Sequence, residues 1–172
     1  MDPDATLQLI RESIESGDKE SELEATANLA SWLRNGGFSP NWPNEVREYF
    51  VSALSLCVAW SSNDESDESG GYPMDRNYGF DDIDPETVLS GAVDVFRFWN
   101  QAEKYLEFEG SYLGSSQWGC DEVWPHDFWL ARNGHGAGFW YGDWEHGDEL
   151  TEICKQFPEV YLYIGDDGKI YA

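Results

Sequence analysis

A chain of 172 residues with 41% hydrophobic residues, 16% aromatics and nine Trp has enough apolar mass to bury a core, which excludes global disorder. Its 34 Asp and Glu against 10 Lys and Arg give a formal net charge of -24. That balance excludes nucleic-acid backbones and anionic membrane surfaces as ordinary partners and favours basic ones.

No apolar run approaches the roughly 20 residues that span a bilayer. Cys57, Cys120 and Cys154 stand in no CxxC spacing, and no cleavable leader is legible at the start. The expected setting is a reducing cytoplasm.

Residues 1–60 read as helical. Asp2-Pro3 supplies a cap and a first helical position, and Leu7, Ile10 and Ile14 mark an apolar stripe that stops near Gly17. Ser21 with Glu24 fits a capping box, and Leu23, Ala27, Ala30 and Leu33 carry a second stripe to Asn35-Gly36-Gly37. The two helices are expected to form a hairpin. A third helix, starting at Pro43 or Asn44, carries Val46, Phe50, Ala53, Leu54, Cys57 and Trp60 on a face wide enough for a central position.

Residues 61–84 form a polar, acidic run without periodicity, expected to be a mobile loop. Asp84-Pro85 then starts a long amphipathic helix over 85–109, with Val88, Ala92, Val95, Phe96, Trp99 and Leu106 on its apolar side.

From residue 110 the chain turns to aromatics and glycines. Phe128 to Arg132 suits a strand, Asn133-Gly134 a tight reversal and Phe139-Trp140-Tyr141 a second strand. Asp148 is the expected cap of a short helix, and Val160 to Ile164 with Lys169 to Tyr171 suits a hairpin. Residues 110–172 are thus expected to be an aromatic-rich ββαββ region. The predicted fold class is α+β, an N-terminal helical bundle packed with a small C-terminal antiparallel sheet carrying one helix, in one compact domain.

The string from Asp127 to Trp140, "DFWLARNGHGAGFW", followed by Gly147-Asp148-Glu149-Leu150-Thr151 and by Tyr163 to Tyr171, "YIGDDGKIY", resembles a family of small proteins of bacteriophages and mobile elements. The family form is similar to "DFWLTRNGHGAGFWD", with Ala131 here where that form has Thr. The opening segment, from Asp2-Pro3-Asp4 to Trp32-Leu33-Arg34-Asn35-Gly36-Gly37-Phe38, also resembles N-terminal segments of phage proteins. The resemblance implies an infected bacterial cytoplasm and no catalytic residue.

Two sets of side chains compete for a functional role. His126, Asp127, Arg132, Asn133 and His135 would form a ligand or acid-base site, a carboxylate fixing an imidazole tautomer. His126 and Asp127 would point opposite ways on a strand, however. His126, His135, His146 and Cys120 match no zinc spacing, and Asn133-Gly134-His135-Gly136-Ala137-Gly138 lacks the lysine or following helix of a phosphate loop. No metal and no cofactor are expected.

The acidic residues are the stronger set: Glu12, Glu15, Glu20 and Glu22 on the first helices, Asp64, Glu65, Asp67 and Glu68 in the loop, then Asp81 and Asp82. Helical carboxylates three or four positions apart have Cβ atoms about 5–6 Å apart, which suits imitation of a phosphate track. The expected function is non-enzymatic: a phage-encoded DNA mimic that occupies the basic surface of a nucleic-acid-binding host protein, as an anti-restriction or anti-CRISPR inhibitor does. Direct nucleic-acid and membrane binding are not expected.

Overall fold

A computed structural model describes residues 1–55, 63–64, 72–107, 111–114, 120–135 and 137–172. Helix α1 (Pro3–Ser16) is capped by Asp2, whose carboxylate accepts from the Asp4 and Ala5 amides at 3.1 and 3.2 Å. Pro3 occupies a first-turn position where an N–H would have no helical acceptor. Gly17 closes the helix at φ 75, with its N–H on Ile14 and that of Asp18 on Ser13, a left-handed reversal that glycine enters without strain.

Helix α2 (Lys19–Arg34) starts before the Ser21–Glu24 capping box because Asp18 is its cap. One Asp18 oxygen accepts from the Ser21 amide at 3.1 Å and the other from its hydroxyl at 2.8 Å. The two-residue connection folds α2 back on α1, burying Ile10 and Ile14 together with Ala25 and Leu29.

Helix α3 (Asn44–Leu54) buries Val46, Tyr49, Phe50, Ala53 and Leu54; Cys57 and Trp60, expected to extend it, lie outside the described residues. Strand β1 (Asn63–Asp64) pairs antiparallel with β2 (Tyr72–Pro73). The end of the expected acidic loop is folded rather than free: Met74–Arg76 and Phe80–Asp82 are 3-10 turns, and Met74 and Ile83 are buried. These two apolar side chains anchor a stretch whose polarity otherwise argues for a loop.

Asp84 caps α4 (Pro85–Leu106), accepting from the Glu86 and Thr87 amides at 3.0 and 3.1 Å. The helix ends short of the expected residue 109, with Glu107 as its cap. It touches α1, α2, α3 and also α6 (Gly147–Cys154), so the centre of the fold is α4 more than α3.

The C-terminal region departs most from expectation. The strand expected over Phe128 to Arg132 is the second half of α5 (Cys120–Arg132), and the one expected over Phe139–Tyr141 is a 3-10 turn. The physical reason is burial on all sides. Phe128 and Trp129 are fully buried and Leu130 nearly so, and a short apolar run without polar alternation fits a buried helix as well as a strand.

Asn133-Gly134 is therefore a helix terminus and not a hairpin turn. Gly134, at φ 66, donates to Ala131, and the next amide, His135, reaches back to Leu130 at 3.1 Å, the bonding of a Schellman cap.

Helix α6 is capped at His146, two positions before the expected Asp148. After it, β3 (Tyr163–Ile164) and β4 (Ile170–Tyr171) form the expected antiparallel hairpin, shorter than anticipated. The Asp84 amide donates to the Ile170 carbonyl at 2.8 Å, tying the hairpin to the start of α4. Among the described residues, those from 111 onward run α5, 3-10 turn, α6, β3, β4 rather than ββαββ. The protein is mostly helical, of α+β class, and the described residues include two small antiparallel strand pairs.

Candidate functional site

The Asp127, Arg132 and Asn133 side chains are buried and hydrogen-bonded within the fold. Arg132, on the last turn of α5, donates to the Tyr49 hydroxyl at 2.7 Å, to Asp94 at 2.9 Å and twice to the Pro158 carbonyl at 2.7 and 3.0 Å. Its guanidinium also lies over the Phe128 and Phe157 rings. Burial pushes the Tyr49 hydroxyl well above its ordinary pKa, so it meets the guanidinium as a neutral oxygen.

Asn133 donates to the Trp129 carbonyl at 3.0 Å and accepts from the Val160 amide at 2.7 Å. One residue pair thereby ties α5 to α3, α4 and the segment after α6. Such satisfied polar groups specify a fold, and in these bonds Arg132 and Asn133 face the interior.

His126 and Asp127 do meet, since neighbours on a helix are about 100° apart and not on opposite faces. One Asp127 oxygen lies 2.9 Å from His126 Nδ1, and the other accepts from the Trp144 indole at 2.6 Å. His135, past the Schellman cap, is half-buried, with an Nε2 that has no hydrogen-bond partner among the described residues. Among the described residues, no group of three or more His, Cys, Asp or Glu is arranged to hold a metal ion. A concavity of about 600 Å³ between α4 and α6 is lined by other residues, among them Asn100, Tyr105 and Glu149.

The acidic set divides. Glu12, Glu15 and Glu20 are exposed, Glu15 lying 3.4 Å from Arg11. Asp81 and Asp82 are exposed too, although Asp82 also accepts the Gly79 amide at 2.7 Å and so holds its own turn. The side chain of Asp64 and all of Glu65, Asp67 and Glu68 lie outside the described residues. Glu22 is the exception: at 1% exposure it faces inward, where Arg97 of α4 and Lys19 both donate to it. It cannot meet a partner in this fold.

Burial pushes the Glu22 carboxyl up, but the hydrogen bonds and charges of Lys19 and Arg97 outweigh it and hold the group below the ordinary carboxylate range. A carboxylate with a lowered folded-state pKa stabilises above its unfolded value of about 4.3 and loses that contribution as pH falls through the folded value. Glu22→Gln is expected to cost about 1–3 kcal/mol near neutral pH, tempered because Arg97 is partly exposed. Urea unfolding should show the wild-type advantage shrinking below about pH 4; an advantage that persisted there would contradict this assignment.

Sequence reasoning missed Asp94, Tyr49, Trp144 and Arg97, the partners that give these side chains their roles. Asp94 and Arg97 are visible in the sequence only as polar interruptions of an amphipathic helix. No protein-family model matches the chain, and neither curated proteins nor solved structures give a match. Among the described residues, no helix is long and apolar enough to cross a membrane.

Proposed function

We propose that this is an acidic binding protein of phage or mobile-element origin, acting without catalysis by occupying the basic, nucleic-acid-binding surface of a host defence or DNA-processing protein. The observation that carries this reading is the disposition of charge. Among the described residues, at least six of the ten Lys and Arg side chains, Arg11, Lys19, Arg34, Arg97, Arg132 and Lys155, are held in ion pairs with the chain's own carboxylates. The remaining cations fall far short of the remaining carboxylates, so the surface field is strongly negative and steers cationic partners inward.

Glu12, Glu15 and Glu20, near the α1–α2 turn, and Asp81 and Asp82, before α4, are exposed members of that field. Glu22 belongs to the scaffold beneath it.

The test is retention of bacterial lysate proteins on the immobilised chain. Retained nucleic-acid-binding proteins should elute as salt rises and should be displaced by duplex DNA, because exposed charges are screened within about 10 Å at 0.1 M salt. The triple variant E12Q/E15Q/E20Q should release them at lower salt. Retention indifferent to both salt and neutralisation would end the proposal.

A further inference from the structure

Beyond its acidity, the molecule displays exposed tyrosines on and just before the C-terminal hairpin. From Glu159 to Ile164 burial alternates with period two: Val160, Leu162 and Ile164 pack toward the core, while Glu159, Tyr161 and Tyr163 face out. Tyr161 and Tyr163 are each 56% exposed. Across the strand pair, Tyr171 stands opposite Tyr163, with the rings stacked at 5.9 Å and 30°.

Two of the phenols are tethered to carboxylates, and the Tyr163 ring rests on that of Tyr171. Tyr161 donates to Glu159, and Tyr171 donates to Asp167 at 2.9 Å. The bond to Asp167 pushes the Tyr171 phenol up to about 12, so it remains a neutral donor at physiological pH. The rings are thus held in place before any partner arrives, which lowers the ordering cost of an association.

Exposed tyrosines beside carboxylates are suited to one kind of occupant. An arginine guanidinium can stack on a phenol ring while its N–H groups meet a neighbouring carboxylate, and Tyr and Arg dominate the energetically important centres of interfaces. An ammonium has the charge without the planar face. The net charge of -24 supplies complementarity at long range, and the tyrosine face supplies contact at short range.

We propose that the face formed by Glu159, Tyr161, Tyr163, Asp167 and Tyr171 docks an arginine-bearing segment of a partner protein. This rests on the reading of the chain as an acidic binder and names the part of it that makes the anchoring contact.

The probes are oligoarginine and oligolysine of equal length, titrated by calorimetry, with tyrosine ring resonances followed by NMR. Oligoarginine should bind more tightly than oligolysine by roughly five- to thirtyfold, as two ring contacts would give, and should shift the Tyr161 and Tyr163 resonances. The preference should vanish in Y161L/Y163L and survive in Y161F/Y163F, which keeps both rings.

Equal binding of the two peptides, with these rings unmoved, would overturn the docking face while leaving the acidic binder intact. Failure of both peptides to bind at low salt would overturn both readings. Concentration-dependent shifts of Tyr161 and Tyr163 without peptide would assign the face to a second copy of the chain and overturn the proposal. Because the NMR measurement uses the unaltered protein, a leucine variant that fails to fold does not remove the test.

Discussion

Arg132→Met is expected to lower the free energy of unfolding by about 3–5 kcal/mol, the range found when one partner of a buried ion pair is removed. The Arg132 side chain is wholly buried, and its replacement strands Asp94, the Tyr49 hydroxyl and the Pro158 carbonyl together. Methionine keeps much of the packing against Phe128 and Phe157, so the loss would report the bonds more than the volume. The double variant R132M/D94N should be less destabilised than the sum of the single ones, because no charge is then left without its partner. Urea midpoints for the four proteins check both statements; strict additivity would mean that Arg132 and Asp94 do not act as a pair.

Helix starts were legible where the signal is local. Asp2-Pro3 and Asp84-Pro85 place a side-chain acceptor beside the amides that need one, and Gly17 ends α1 because the reversal demands a positive φ. The same locality misled at Asn133-Gly134. A glycine with positive φ serves a hairpin turn and a helix cap equally, and the continuous apolar run before it contains no period to decide between them.

Roles that depend on distant partners were not legible. Arg132 finds Tyr49 at a separation of 83 residues and Asp94 at 38, and Glu22 finds Arg97 at 75. Counted as charge, Glu22 is indistinguishable from Glu20; only the fold turns one inward and leaves the other exposed. The tyrosines of the hairpin were legible as strand residues, and their shared outward face emerges only when register sets Tyr163 against Tyr171.

Phe98→Ala should be equally costly, about 3–5 kcal/mol, as for other buried aromatics truncated to alanine. Phe98 is fully buried on α4, stacked on Phe128 at 4.2 Å and on Phe139 and Trp124 at 5.6 and 5.7 Å, with Phe157 edge-on at 6.3 Å. Four rings from three segments of the C-terminal half, α5, the 3-10 turn at Phe139 and the stretch after α6, converge on this ring. Phe98→Leu should recover most of the loss, because leucine refills the volume and forfeits chiefly the stacking, about 0.5–1.5 kcal/mol per pair at most. Tyr141→Ala, at a position 72% exposed, should change stability by no more than about 0.5 kcal/mol. Denaturant unfolding with near-UV circular dichroism would resolve these cases, since Trp124 reports directly on the stack. If Phe98→Ala proved as mild as Tyr141→Ala, α4 would not be the element on which the aromatic C-terminal half is built. If it is as severe as expected, Phe128, Trp129 and Phe139 of "DFWLARNGHGAGFW" serve the core, and the exposed carboxylates can be changed independently of it. Gln substitutions at Glu12, Glu15 and Glu20 would then alter binding without unfolding the chain.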